Sequence, residues 1–342
     1  MIEVILYKSI SELSHSFRPT IAIITVNYFE KLAVDAMIEN KVTFVRHHKQ
    51  GESNVYTIGT IGSHHVISTK LPLIGRSRTA QISTGSTTTR LLGTFQHVQH
   101  VFIIGCAGGI PHYTDKTKHI RRGDIVVGYP NEEDYVYGIY EAEQSAEGYE
   151  FVSPCYKPKS FQLYDLLDPI RENYLQTNQT RSETHQYPWE KFLDDGIQYL
   201  LSHNIDCLPP TNDFLYIKMD NGEIVKVEHP EQTNRDYQRP VLRFGMIAGG
   251  KNLLTNDYLK TTLAEKCNVL CFDSEIDQVI AAIQGNRIES FMIIRGIADY
   301  HDGTLNKDWQ PYSSLCAAAF MKTLIYKIPK PSKTQYDDDD IL

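Results

Sequence analysis

The chain has 342 residues and a mass of 39.1 kDa, which suits one large domain or two smaller ones. A hydrophobic fraction of 41% and a charged fraction of 22% exclude a disordered or fibrous protein. The net charge of -8 at pH 7 disfavours a general binder of nucleic acid or anionic membranes.

The first hundred residues predict strands that alternate with helices. An apolar run at 20–26 predicts a buried strand, and 30–38 has the spacing of a helix. Two short β-like runs follow at 54–59 and 65–69, and a second helix is predicted near 77–95.

A glycine-rich segment follows the next strand. The apolar strand 101–104 leads into a predicted small-residue turn at 105–109, and 123–128 supplies another strand. This alternation is typical of a largely parallel sheet covered by helices. Ligands bind such sheets at the carboxyl ends of the strands.

The character of the sequence changes between residues 131 and 240. This segment is rich in polar and aromatic residues. It contains an amphipathic helical pattern at 190–203 and two β-like runs, 214–219 and 223–227, around an Asn-Gly turn. We interpret 131–240 as an insertion with some structure of its own.

Core-like segments resume after the insertion. They predict strands at 241–250, 269–272 and 290–297 and helices at 276–284 and 312–328. We therefore expect a single α/β domain over residues 1–342, with the inserted substructure and an acidic tail at 333–342.

Three carboxylates are candidates for chemistry. Glu30, Glu275 and Asp299 each follow an apolar strand, so they should converge at one edge of the sheet beside the glycine turn. Converging carboxylates suit acid/base work on a glycosidic bond. The alternative is ordinary capping, because acids are favoured in the first turn of a helix.

Five blocks, in this order, resemble the nucleoside phosphorylase/nucleosidase superfamily. They are 21–24 followed by Glu30, the Gly-Cys-Ala-Gly-Gly segment at 105–109, the Ile-Ala-Gly-Gly segment at 247–250, Phe-Asp-Ser-Glu at 272–275, and Ile-Arg-Gly-Ile-Ala-Asp at 294–299. The resemblance implies a three-layer fold with a mixed, partly barrel-like central sheet flanked by helices.

The resemblance also implies roles for individual residues. Glu30 would position an attacking water, Glu275 would hold the ribose hydroxyls, and Asp299 would protonate the purine leaving group at N7. Further substrate-binding positions implied are Cys106, Ala107, Gly108, Ser274 and Leu253. Ser274 and Ala298 depart from the superfamily pattern, which usually has Met and Ser at these positions.

Three functions are compatible with these residues. Phosphorylases of this superfamily commonly carry an arginine at the position of Ile103, so water is favoured over phosphate as the nucleophile and hydrolysis is the leading hypothesis. A phosphate-dependent phosphorylase is the first alternative. A catalytically silent nucleoside-binding sensor is the second.

Two basic loops bear on the substrate. Arg76 and Arg78 lie in one, and Arg121 and Arg122 in the other. They are predicted to bind the 5′-phosphates of a nucleotide, with solvated surface charge as the alternative. Residues 299–312 resemble phosphorylase-type domains of immune proteins, some of which cleave ATP. We therefore expect release of a purine base, with adenine as the favoured base, from a nucleotide such as ATP or from a nucleoside.

The expected setting is a cytoplasmic enzyme without cofactor or metal. No apolar run reaches membrane-spanning length, the first residues lack the basic start of a leader, and the six cysteines form no CxxC pair. We expect a small-molecule purine ligand and no nucleic-acid or membrane partner. The resemblance implies a homo-oligomer.

Overall fold

The structure is a computed structural model. It describes residues 17–47, 53–72, 77–115, 118–145, 148–177, 186–211, 213–219, 221–230, 240–250, 257–300 and 307–330. The strands are β1 (Ile21–Thr25), β2 (Glu39–His47), β3 (Ser53–Ile61), β4 (His64–Lys70), β5 (His100–Gly109), β6 (Ile125–Gly128), β7 (Tyr137–Ile139), β8 (Glu141–Ser145), β9 (Gly148–Val152), β10 (Cys155–Tyr156), β11 (Leu215–Lys218), β12 (Ile224–Val227), β13 (Leu242–Gly249), β14 (Val269–Phe272) and β15 (Ser290–Tyr300). The helices are α1 (Tyr28–Met37), α2 (Arg78–Thr94), α3 (Gln162–Thr177), α4 (Pro188–Ser202), α5 (Asp257–Cys267), α6 (Asp277–Gly285) and α7 (Gln310–Ile325).

One sheet organises the molecule. Its order over the described residues is β10-β7-β13-β6-β15-β5-β1-β4-β3-β2, and β14 pairs with both β13 and β5. The strands β13, β6, β15, β5 and β14 therefore close into a ring. The ring contains parallel pairs such as β15–β5 and antiparallel pairs such as β5–β14, so the predicted mixed, partly barrel-like sheet is confirmed.

The two longest central strands position the site. β5 and β15 pair in parallel from His100 opposite Ser290 to Gly109 opposite Tyr300. The predicted turn at 105–109 is wrong, because these residues continue β5, and β15 likewise continues past 297. The small side chains of residues 105–109 let β14 approach β5 and close the ring.

A buried helix covers these strands. α7 is apolar and rich in alanine, and it packs on β15 and β5 while α1 and α4 pack against it. A Cβ at Gly296 would overlap the backbone of Ser313, so glycine permits this close approach. α2 and α6 pack against each other and form a separate helical group.

The segment 131–240 is partly integrated into the main sheet. β7 pairs with β13, and β10 pairs with β7, whereas β8–β9 and β11–β12 form two-stranded sheets of their own. The predicted helix and hairpin are present as α4 and β11–β12. β7 to β10 and α3 were not predicted, nor were β2 and α5 outside the segment. Whether this segment is a substructure within one domain stays a prediction, and the tail at 333–342 lies outside the described residues.

None of the described helices combines the length and apolarity needed to cross a bilayer.

Candidate active site

Glu30 is fixed at the start of α1 by a capping box. The Glu30 N–H donates to Asn27 Oδ1 (3.0 Å), and Glu30 Oε2 accepts from the Asn27 N–H (3.1 Å) and the Val26 N–H (2.6 Å). An Asn followed three residues later by Glu after an apolar strand is a pattern that favours this local structure. The carboxylate is thereby held at the carboxyl end of β1.

The second oxygen of Glu30 reaches the glycine-rich end of β5. Glu30 Oε1 accepts from the Cys106 N–H at 2.9 Å. A Cβ at Gly105 would overlap both the Glu30 carboxyl group and the Arg295 guanidinium, so these two groups face each other across this glycine. Burial raises the pKa of Glu30, and the charge of Arg295 opposes that rise.

Arg295 is a member of the site that the sequence reasoning missed. It lies in the middle of β15, is fully buried, and forms an ion pair from Nε to Asp273 Oδ2 at 3.1 Å. Within the described part of the chain, Nη1 and Nη2 have no hydrogen-bond partner. A lone arginine within an otherwise apolar strand was the available signal, since arginine is rarely buried without a specific role.

Asp273 begins the turn that carries the predicted ribose ligand. Asp273 Oδ1 accepts from the Glu275 N–H (2.9 Å), and its carbonyl accepts from the Tyr137 hydroxyl (2.6 Å). The same hydroxyl lies 2.5 Å from Asp277 Oδ1, so both ends of the turn between β14 and α6 are fixed. Within this turn, Ser274 is half-buried and Glu275 is exposed.

Asp299 lies on the end of β15, after an irregularity in the strand that falls between Ile297 and Asp299. It pairs with Gly108 of β5 and is half-buried. Burial and the charge of Glu30 raise the pKa of the Cys106 thiol well above its usual range, and the charge of Asp299 adds to this effect. The Glu30 and Asp299 carboxylates therefore both lie near the Cys106 thiol.

Cys106 itself is held against α7. Its Sγ lies 2.9 Å from Ser314 Oγ and 3.4 Å from the carbonyl of Gln310. Ala107 and Gly108, which follow it, are buried in the ring of strands. The glycine-rich end of β5 thus forms the floor between the two predicted catalytic acids.

Comparisons with known proteins identify the fold. No protein-family model matches the chain. A structure from Borrelia burgdorferi with bound adenine, assigned as a 5′-methylthioadenosine/S-adenosylhomocysteine nucleosidase, aligns with a TM-score of 0.57 at 17% identity and covers 90% of this chain and 100% of that one. The corresponding nucleosidase from Neisseria meningitidis, in complex with methylthio-immucillin-A, gives 0.55 at 12% identity, with 91% and 100% coverage. Futalosine hydrolase from Helicobacter pylori gives 0.53 at 15% identity, with 92% and 100% coverage.

The chain has the nucleoside phosphorylase/nucleosidase fold. The resemblance drawn from the five sequence blocks is confirmed at this level. A curated relative, a nucleotide-binding leucine-rich repeat (NLR)-like protein from Hyaloscypha variabilis, is 25% identical over 303 residues. That match covers 86% of this chain and 28% of the relative, so the chain spans about a quarter of that protein's length.

The arginines predicted to bind phosphate differ in their burial. Arg78 is exposed at the first turn of α2. Arg121 is buried, and its Nε and Nη2 both donate to Asp213 Oδ2 at 3.1 Å. Arg122 is also buried, with Nε 3.9 Å from Asp213 Oδ1. Their predicted role toward a 5′-phosphate stays a prediction, and Arg76 and Leu253 lie outside the described residues.

No group of three or more His, Cys, Asp or Glu side chains within the described ranges is arranged to hold a metal ion.

Proposed function

We propose that the chain is a purine nucleosidase that hydrolyses the N-glycosidic bond, with Asp299 as general acid and Glu30 as the group that holds and activates water. The observation that carries this proposal is the buried pair formed by Glu30 and Arg295 across Gly105. The structural neighbours named as nucleosidases and as a futalosine hydrolase support it by their fold.

The hydrogen-bonding capacity of the pair suits a water molecule. Each carboxylate oxygen has two lone pairs, and Glu30 Oε1 uses one of them for the Cys106 N–H. The Arg295 Nη1 and Nη2 groups retain N–H donors. A water between the two could donate to the carboxylate and accept from the guanidinium, which orients an oxygen lone pair toward an electrophilic carbon.

The electrostatics favour water over phosphate. Burial raises the pKa of Glu30, which makes the carboxylate a stronger base toward a water proton. A phosphate dianion in the same place would be repelled by the Glu30 carboxylate. It would also be repelled by the carboxylate of Asp273, whose Oδ2 lies 3.1 Å from Arg295 Nε. Like charges in a buried site disfavour such binding strongly.

The remaining residues supply the other half of the reaction. Bond cleavage leaves negative charge on the purine and positive charge on the ribose. Asp299, across the floor formed by Cys106 to Gly108, would give its proton to the purine as the bond breaks. Glu275, exposed at its turn, would accept hydrogen bonds from the ribose hydroxyls and steady the positive charge.

The reaction is tested with purified protein and a panel of adenosine, inosine, 5′-methylthioadenosine and ATP, each with and without phosphate. The proposal expects release of free base without added phosphate. D299N should lower the turnover number by about 10²–10⁴-fold. E30Q should do the same, while E39Q, a change at an exposed glutamate paired with Lys322, should leave it unchanged.

Two outcomes would contradict the proposal. Base release that depends on phosphate would assign the chain as a phosphorylase. Binding of a purine nucleoside without any release would favour the sensor hypothesis, which the NLR-like relative also supports because the chain matches one part of a larger protein.

The substrate we favour within this reaction is an adenine 5′-nucleotide such as ATP. Since the Arg121 and Arg122 side chains face Asp213, the loop that contains Arg76 and Arg78 is the better candidate for phosphate contacts. The ratio of ATP to adenosine turnover should fall by about ten- to a hundredfold in an R76A/R78A variant. An unchanged ratio would assign the chain to nucleosides.

A further inference from the structure

A buried carboxylate from the segment 131–240 lies beside the candidate active site. Asp213 precedes β11, and its side chain is only 1% exposed. The hairpin that follows is largely exposed, including Phe214 and Ile224. Because burying a carboxylate is unfavourable unless it is paired and hydrogen-bonded, this position needs a specific reason.

The partners of Asp213 come from several separate segments. Arg121 donates two hydrogen bonds of 3.1 Å to Oδ2, and the Tyr300 hydroxyl lies 2.9 Å from Oδ1. His229, after β12, lies 3.4 Å from Oδ2 through Nε2. Asp213 therefore joins the hairpin to the loop before β6 and to the end of β15.

Tyr300 is the link to the chemistry. It is buried, and its hydroxyl accepts the Arg122 N–H at 3.1 Å while it donates to Asp213. Its ring also lies under the Arg122 guanidinium, 4.8 Å from ring centre to Cζ. Burial and the charge of Asp213 raise the pKa of Tyr300 well above its usual range, so the hydroxyl keeps its proton.

Asp299 directly precedes this tyrosine. Successive side chains of a strand point to opposite faces, so Tyr300 is held on one face while Asp299 projects from the other. After the irregularity between Ile297 and Asp299, β15 still pairs with β5 at Asp299 and Tyr300. The hydrogen bonds of the Tyr300 hydroxyl attach this strand end at a second point. A shift of about 1 Å in a catalytic group can lower a rate about 10²-fold.

We infer that Asp213 is a positioning residue for the general acid: through Tyr300 it fixes the end of β15 and thereby the Asp299 carboxyl group. This inference rests on the proposed function for its kinetic consequence. Its structural part, that Asp213 and Tyr300 hold residues 298–300 in place, can be tested without any activity.

The kinetic test compares D213N, Y300F and the double variant. D213N keeps the volume of the side chain, and Y300F removes only the hydroxyl. Each should lower kcat by about ten- to a hundredfold with KM within about threefold. The double variant should be no more than about twofold slower than the slower single variant, because both changes break one linkage. D134N, at a 56% exposed aspartate of the same segment, is the matched control and should not change kcat.

A second measurement is hydrogen–deuterium exchange at the amides of residues 298–300. D213N and Y300F should accelerate exchange there at least about tenfold relative to D134N, with core amides of β1 unchanged. Unchanged exchange at 298–300 in both variants would overturn the inference, whether or not the protein is an enzyme. Unchanged kcat in an active protein would overturn it as well. A wild-type protein that releases no base would contradict the proposed function alone, and the exchange result would then decide the inference.

Discussion

Replacing Arg295 with methionine is the most informative perturbation of the buried site. Arg295 is fully buried, pairs with Asp273 at 3.1 Å, and faces Glu30 across Gly105. Methionine fills a comparable volume without charge, so R295M leaves two buried carboxylates without their cation.

The expected loss can be estimated from the geometry. Removing one partner of a buried ion pair typically lowers the free energy of unfolding by about 3–5 kcal/mol. An exposed pair is worth about 0–1 kcal/mol. Lys157 and Asp134, 3.4 Å apart with about half of each side chain exposed, form such a pair, so K157M is the matched control.

The loss should depend on pH with a definite sign. Burial already raises the pKa values of Glu30 and Asp273, and Arg295 lowers both. Without Arg295 the pKa values rise further, so the folded variant binds more protons than the unfolded chain over a wider range above about pH 4. The stability of R295M should therefore fall more steeply than that of the wild type as the pH rises from 5 to 8.

Urea denaturation at pH 5 and pH 8 measures both effects. The result expected is a loss of about 3–5 kcal/mol at pH 8, a smaller loss at pH 5, and less than about 1 kcal/mol for K157M at either pH. A loss below about 1 kcal/mol for R295M at pH 8, or a loss that grows toward pH 5, would refute the electrostatic description of the site.

Three further predictions concern single residues. G105A introduces a Cβ into the space occupied by the Glu30 carboxyl group and the Arg295 guanidinium, so it should lower the free energy of unfolding by about 1–3 kcal/mol. G93A, at a glycine of α2 whose added Cβ would meet nothing within 4 Å, should raise it by about 0.5 kcal/mol. Equal effects of the two changes in urea denaturation would count against the close approach at Gly105. N27A removes the capping side chain of α1, so it should lower the free energy of unfolding by about 1 kcal/mol and reduce base release. A neutral result in both assays would show that the capping box does not hold Glu30 in place. The raised pKa of Cys106 keeps its thiol protonated at neutral pH, so alkylation at pH 7.5, followed by peptide mass spectrometry, should modify it more slowly than Cys155, and faster modification of Cys106 would contradict its environment.

The sequence predicted the individual central strands because their signals are local, whereas the closed, barrel-like sheet was implied by the family resemblance. The apolar runs that became β1, β5 and β15 are buried on both faces, which removes polar alternation and leaves a clear pattern. β2 and β7 to β10 carry mixed polar residues. They lie at or next to the ends of the main sheet, or in the separate two-stranded sheet β8–β9, so burial gives them no such pattern.

The candidate site was predicted in part for the same reason. Glu30 and Asp299 follow strong strand patterns, so their place at one sheet edge could be expected. The neighbours that tune them could not, because the Arg295 ion pair and the Asp213 network join segments separated by many residues. Arg121 and Arg122 illustrate the limit, since a basic pair in sequence gives no sign of the buried carboxylate it meets.

Glu30 and Arg295 are proposed to hold the water that attacks the sugar. A single-turnover reaction in ¹⁸O-labelled water, without phosphate and with the best substrate of the panel, tests it most directly. We expect one ¹⁸O atom at the anomeric carbon of the released sugar in the wild type, and base release about 10²–10⁴-fold slower in E30Q. Base release that needs phosphate and yields an unlabelled sugar 1-phosphate, or unchanged release in E30Q, would contradict it.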